Sequence, residues 1–112
     1  MNILIDIGHP AHVHLFRHFA LEMQKKNHKV FFTCRDKEFE IELLEQNRFA
    51  YQSFGKKYTS PIGKIWGMAK FGFKEYLTGL RFKPDVLLSH GSIYAAHAAF
   101  LLRKPHISFE DT

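Results

Sequence analysis

Ile3-Leu4-Ile5-Asp6-Ile7 is an apolar run, β-branched at three positions and interrupted by one acid. Such a run predicts a buried parallel strand. Gly8-His9-Pro10-Ala11 breaks it, and a helical pattern follows over residues 13–26. At roughly 100° per residue, Leu15, Phe16, Phe19, Ala20 and Met23 fall on one face, with His14, His18 and Lys25 opposite. Lys25 and Lys26 suit a helix C-terminus, and Asn27 suits a left-handed cap. Residues 29–34 read as a second strand, which places Cys34 as a small apolar residue. Asp36 is the expected cap of a second helix, with Glu38 and Glu40 in its first turn and Phe39, Leu43 and Leu44 on its buried side. Residues 49–54 form an expected third strand. Ser60 and Pro61 then open a third helix as its cap and first residue. Ile62, Ile65, Trp66, Ala69, Phe73, Tyr76, Leu77 and Leu80 share one broad face, which is expected to be buried. Gly63, Gly67, Gly72 and Gly79 each cost a helix about 1 kcal/mol against alanine, so a long and bent helix is expected. Pro84-Asp85 ends it. Residues 86–89 are a fourth strand, His90-Gly91-Ser92 a turn, residues 93–103 an Ala-rich helix and residues 105–109 a fifth strand.

This alternation of five strands and four helices predicts an α/β fold: a Rossmann-like, doubly wound, five-stranded parallel sheet with right-handed crossovers. The expected strand order is 3-2-1-4-5, with the switch point between the first and fourth strands. Residues 8–12 then lie beside residues 90–92, at the edge where such sheets take ligands. All 112 residues are read as a single domain.

Composition adds two constraints. A single cysteine excludes an internal disulfide and fits a reducing cytoplasm. No apolar run is long enough to span a bilayer, and Asp6, His9 and Pro10 interrupt any signal peptide. The net charge of +5 is uneven: residues 56–83 hold seven cations (Lys56, Lys57, Lys64, Lys70, Lys74, Arg81, Lys83) against Glu75, a local +6, and the remainder is −1. On the third helix Lys64, Lys70, Lys74 and Arg81 accompany Met68, Phe71 and Phe82, which fall off the expected buried stripe. Basic and aromatic residues together suit an anionic membrane surface, and a solvated flank is the plain alternative. No nucleic-acid motif accompanies the charge, so nucleic acid is not an expected partner.

Three groups converge on the C-terminal sheet edge. Gly8-His9-Pro10-Ala11-His12 contains neither a dinucleotide fingerprint nor a P-loop. Two imidazoles at a helix N-terminus would suit a phosphate or a sugar hydroxyl, unless the segment is only a tight turn. His90-Gly91-Ser92 lets a ligand approach the backbone, with Ser92 either a ligand contact or a helix cap. Glu110 and Asp111 follow the fifth strand, where carboxylates would accept from hydroxyls or act as a base, or stand in solvent. His14 and His18 have a zinc-pair spacing, but no further Cys or Glu supports a metal, and none is expected.

Asp6-Ile7-Gly8-His9-Pro10-Ala11-His12-Val13, His28-Lys29-Val30, Lys83-Pro84-Asp85 and Ser89-His90-Gly91-Ser92 together resemble an uncharacterised bacterial and archaeal "domain of unknown function" family with a glycosyltransferase-B-like (GT-B) fold. The resemblance runs over essentially the whole chain. More distantly, the chain is similar to the N-terminal half of non-hydrolysing UDP-N-acetylglucosamine 2-epimerases. Ser92 stands where those enzymes carry a catalytic aspartate, which argues against epimerase chemistry, whereas Glu110 falls on their glutamate. The resemblance implies the acceptor-side half of a sugar-transferring protein of surface polysaccharide synthesis, inactive alone. No cofactor is expected in this domain, and a nucleotide-sugar donor is expected only with a C-terminal domain lying outside the chain. His12 and Glu110 are the implied catalytic residues. Gly8, His9, Pro10, His12, His90, Gly91, Ser92 and Asp111 are the implied substrate contacts. A glycan or lipid-linked acceptor is the implied partner, with a cytoplasmic location at the inner membrane face. The rival expectation is a binding module for a phosphorylated glycan or lipid that performs no chemistry. An uncovered edge after the fifth strand would also permit self-association.

Overall fold

The structure, a computed structural model, describes residues 1–36, 40–56, 60–90 and 92–109. Glu38, Phe39, Lys57, Gly91, Glu110 and Asp111 therefore lie outside the described residues. Among the described residues nine elements alternate: β1 (Asn2–Ile7), α1 (Pro10–Lys25), β2 (Lys29–Asp36), α2 (Glu40–Gln46), β3 (Tyr51–Lys56), α3 (Pro61–Phe82), β4 (Val86–Ser89), α4 (Ile93–Leu102) and β5 (His106–Ser108). The sheet is parallel throughout in the order β3-β2-β1-β4-β5. This is the doubly wound Rossmann-like arrangement expected from the alternation of elements.

Strand periodicity divides the core into two layers. Ile3, Ile5 and Ile7 of β1 pack with Val13, Phe16 and Ala20 of α1 and Leu44 of α2. On the other face, Leu4 and Leu87 pack against Ala98 and Ala99 of α4, with Phe82 of α3 alongside. Asp6 is two residues from Leu4 and shares its face, so this acid is buried under α3 and α4. Thr33 and Arg35 of β2, and Ser89 of β4, are buried with it toward the C-terminal edge. The second layer is thus apolar at one end of the sheet and polar at the other.

Most caps follow their residues. Asn27 has φ 67°, as expected of a left-handed cap. Ser60 accepts from Gly63 N–H, and Ser92 accepts from Ala95 N–H. Several boundaries move, and α1 already starts at Pro10. β2 continues to Asp36, which pairs with Lys56 across a register shift, so Asp36 ends a strand and does not cap α2. β3 starts at Tyr51 because Arg48 turns the chain with φ 57°, although Phe49 remains in the core. β5 is shorter than expected, covering only His106–Ser108.

The larger correction concerns which helix faces are buried. Leu15 and Phe19 are exposed, and Val13, Phe16 and Ala20 carry the packing of α1. On α3 the inward face is Gly67, Phe71, Glu75, Thr78 and Gly79. The stripe expected to be buried faces out, with Ile62, Ile65, Trp66, Phe73 and Leu80 all exposed. Phe71, expected on the surface, is only 2% exposed and meets Tyr94 edge-on at 5.9 Å. The physical reason is the neighbour. A Cβ on Gly79 would come within 2.4 Å of Leu102 Cδ1, so a small-residue face is what lets α3 lie close on α4. The same rotation delivers Glu75 to the buried polar group.

Candidate functional site

At the switch point, β1 feeds α1 on one face and β4 feeds α4 on the other, the position at which such sheets take ligands. The first loop is held by its own imidazoles. His9 is the N-cap of α1, and its Nδ1 accepts from Ala11 N–H at 3.1 Å. Gly8 N–H donates to His12 Nδ1 at 3.0 Å, and His12 N–H donates to His9 O at 2.9 Å. A nitrogen that accepts carries no proton, so both neutral rings present Nε2–H. Pro10 has no N–H, and the Ala11 and His12 N–H groups are already used. The Nε2–H of His12 is therefore a donor that this loop can offer a ligand.

The rings form a row. The centroids of His12 and His90 are 4.7 Å apart with a 31° tilt, and those of His9 and His12 are 6.1 Å apart. The half-buried His12 ring has a pKa below the ordinary histidine value, first through burial and then through His90 and His9. Among the described residues, no three or more His, Cys, Asp or Glu side chains are grouped so as to hold a metal.

Beneath the loops is a buried charged group. Arg35 Nη1 donates to Asp6 Oδ1 at 2.8 Å and to Oδ2 at 3.1 Å, and Nη2 donates to Ile7 O at 3.2 Å. The guanidinium also lies 4.7 Å from the Tyr94 ring centroid. Burial alone would lower the Arg35 pKa, but the Asp6 carboxylate holds it above the ordinary value. A Cβ on Gly8 would meet Arg35 Nη2 at 3.0 Å, so glycine there lets the guanidinium support the loop from below.

Thr33 Oγ1 lies 2.9 Å from Asp6 Oδ1 and 2.9 Å from Glu75 Oε1. One hydroxyl has one proton and cannot donate to both. Glu75 supplies the second. Burial and then Asp6 push its pKa well above the carboxylate range, which favours the protonated acid. Glu75 Oε2 is buried with no hydrogen-bond partner, which a neutral carboxyl tolerates far better than a carboxylate. The group then holds one anion and one cation.

Ser92 joins the two loops. Its hydroxyl donates to Asp6 Oδ2 while accepting from Ala95 N–H. Both uses are internal, so Ser92 fixes the loop from within. Ser89 Oγ accepts from Ser92 N–H at 3.3 Å and lies 2.7 Å from His106 Nε2. Burial lowers the His106 pKa. Cys34 is also buried, and its thiol is pushed up to about 12, which leaves it protonated and unreactive.

Among the expected site residues, the structure brings together Gly8, His9, His12, His90 and Ser92, with Pro10 as the first residue of α1. Gly91, Glu110 and Asp111 lie outside the described residues. Of the expected surface group, Lys64, Met68 and Arg81 are exposed, while Lys74 donates to Phe54 O at 3.2 Å. The supporting residues Asp6, Thr33, Arg35, Glu75 and Tyr94 were not expected at the site. Their signals were an acid inside an apolar strand, a Thr-x-Arg alternation near the end of β2, and a lone acid among seven cations.

Parallel strands in this order, with paired loops at the switch point, define a Rossmann-like domain of the kind found in GT-B proteins. The chain belongs to the family described as "Protein of unknown function (DUF354)", whose model matches residues 1–112. No curated protein matches it. Among solved structures, MurG of Acinetobacter baumannii superposes with a TM-score of 0.80 at 16% identity, over 98% of this chain and 35% of that one. The UDP-GlcNAc 2-epimerase of Neisseria meningitidis, bound to UDP-GlcNAc, gives 0.72 at 20% identity, over 95% and 31%. The glycosyltransferase VinC in complex with dTDP gives 0.74 at 14% identity, over 98% and 34%. At these identities the likeness is one of fold. The chain spans about a third of the length of each of these three structures.

Proposed function

We propose that this chain is the acceptor-side part of a glycosyltransferase of surface polysaccharide synthesis, and that residues 8–12 and 90–92 receive a phosphorylated glycan or lipid-linked acceptor. The observation that carries this reading is the row of His9, His12 and His90 over the buried Asp6–Arg35 pair at the switch point. In this reading the Nε2–H groups of His9 and His12 donate to phosphate or hydroxyl oxygens. Gly91 lets a ligand approach the backbone, Gly8 and Pro10 contact it from the first loop, and Ser92 orients the second loop. His12 could accept a proton at Nδ1 only by releasing Gly8 N–H, so it serves as a donor and Glu110 is the base. Asp111 accepts from a sugar hydroxyl. A nucleotide-sugar donor, of the kind the Neisseria meningitidis epimerase binds as UDP-GlcNAc, is bound mainly by a further domain in this reading. This part alone is inactive.

The test is an amide-resolved NMR titration with a short prenyl-diphosphate sugar, run in parallel with UDP-N-acetylglucosamine. Shifts in residues 8–14 and 90–92 with the lipid-linked sugar and little with the nucleotide are expected. Strong nucleotide shifts at these loops would reverse the assignment of donor and acceptor. Silence with both ligands would remove the site. Binding that never leads to transfer, even with a donor-binding domain supplied, would mean a binding module.

A further inference from the structure

Helix α3 carries its longest apolar stripe on the side facing away from the protein. At roughly 100° per residue, Ile62, Ile65, Trp66, Ala69, Phe73 and Leu80 lie within about 60° of one line along the helix. The packed residues Phe71, Glu75 and Thr78 lie on the opposite side. Ile62 is 83% exposed, Ile65 71%, Trp66 63% and Phe73 62%. A helical rise of about 1.5 Å per residue makes the stripe about 27 Å long. That is a large continuous apolar patch for a water-facing surface. Beside it, at about 80–100° from the centre line, run Lys70 and Arg81, within a segment whose formal net charge is +6 (seven cations, one acid); Lys74, on the same flank, donates to Phe54 O.

We infer that this face of α3 is a docking surface for an anionic lipid bilayer, with the helix lying in the plane of the interface. Charge decides between occupants. A second copy would bring the Lys70 and Arg81 flanks of two chains together with no exposed acid on α3 to oppose them, which is repulsive. An anionic interface takes the apolar stripe into its acyl boundary and the basic flank onto its headgroups. No described helix is long and apolar enough to cross a membrane, so the contact is peripheral. The position of the helix gives the contact a use. Every helix in this fold begins at the C-terminal edge of the sheet, so the first turns of α3 stand on the same edge as His9, His12 and His90. Docking there would bring the candidate site up to the bilayer surface. The inference stands on the helix alone and does not depend on sugar transfer.

Trp66 is the only tryptophan and lies on the stripe, so the chain carries its own reporter. Its fluorescence is followed as vesicles of phosphatidylcholine, with or without phosphatidylglycerol, are added, and the same samples are sedimented. A blue shift and co-sedimentation with the anionic vesicles only, weakening as salt is raised, is expected. Lys70→Gln and Arg81→Gln should each weaken binding about fivefold. Ile62→Ser/Phe73→Ser should abolish it while leaving the circular dichroism unchanged, because both side chains are exposed. No shift with anionic vesicles, or an equal shift with neutral ones, would overturn the inference. A blue shift that grows with protein concentration in the absence of lipid would assign the stripe to a second copy and overturn it as well.

Discussion

Ser92, the N-cap of α4, donates its hydroxyl proton to Asp6 of β1, a residue 86 positions away in the chain. The bond ties the start of α4 to the middle strand of the sheet, directly under the loop that carries His9 and His12. A cap that serves only its own helix is worth about 1 kcal/mol. This one also satisfies a buried carboxylate, and hydrogen bonds to charged groups are worth about 1.5–3 kcal/mol.

Two serine caps in the same protein therefore offer a comparison. Ser60 caps α3 in solvent by accepting from Gly63 N–H at 2.9 Å. Ser60→Ala should cost about 1 kcal/mol of unfolding free energy, and Ser92→Ala about 3 kcal/mol when the lost carboxylate bond is included. Urea unfolding of the three proteins checks this, and equal losses would mean that the Asp6 bond adds nothing to the cap.

Glu75 gives a pH dependence whose sign is fixed by its direction of shift. Its folded pKa is raised, so the folded chain holds a proton that the unfolded chain releases above the ordinary value of 4.5. The stability this proton confers is complete below that value and is lost as pH rises toward the folded pKa, by up to about 1.4 kcal/mol per pH unit. Glu75→Gln keeps the shape and cannot ionise, and its amide offers both a donor and an acceptor as the neutral acid does. The variant should match the parent near pH 4 and gain on it steadily as pH rises. Parallel stability curves from pH 4 to 8 would show that Glu75 is ionised in the fold.

The same residue shows where the sequence stops being legible. Strand order and most caps follow from local pattern, because apolar runs, Ser-Pro and Asn signals act over a few residues. The inward face of α3 does not. Its periodicity names a stripe of large apolar residues, and the fold buries Gly67, Phe71, Glu75, Thr78 and Gly79 in its place. That choice is made by partners distant in sequence: Leu102, which needs Gly79 bare, and Asp6, Thr33 and Arg35, which bring in an acid. The imidazole loops were recognisable as a candidate site because Gly, His and Pro cluster in one segment. The buried pair beneath them was not, since Asp6 and Arg35 are 29 residues apart and meet only through strand pairing.

His12 should titrate below the ordinary histidine value of 6.5, because burial and the neighbouring His90 and His9 rings disfavour its charged form. Its Nδ1 accepts from Gly8 N–H, so the neutral ring should be the Nε2–H tautomer. Long-range proton–nitrogen spectra across a pH series read both properties from the same resonances. Replacing its stacked neighbour with His90→Ala should raise the His12 pKa by removing one cause of the shift and admitting water. The contribution of His12 to stability is present above 6.5 and declines as pH falls toward its folded pKa, the opposite direction to Glu75. An Nδ1–H tautomer would contradict the loop geometry.

Two glycines of α3 should respond to alanine in opposite ways. A Cβ on Gly72 meets nothing within 4 Å, and Gly72 has no positive φ, so the substitution meets no obstacle. Gly72→Ala should stabilise the protein by about 1 kcal/mol, the helix-propensity difference. A Cβ on Gly79 falls 2.4 Å from Leu102 Cδ1, too close for both to stay in place. Leu102 packs against the cluster formed by Leu4, Leu87, Ala98 and Ala99, so turning it aside disturbs that layer. Overpacking of this kind costs about 1–3 kcal/mol, which cancels or exceeds the propensity gain, and Gly79→Ala should be neutral to destabilising. Thermal melts of the two variants decide the matter: a rise for both would mean that α3 and α4 have room to separate, and that the outward orientation of the apolar stripe is not enforced by their contact.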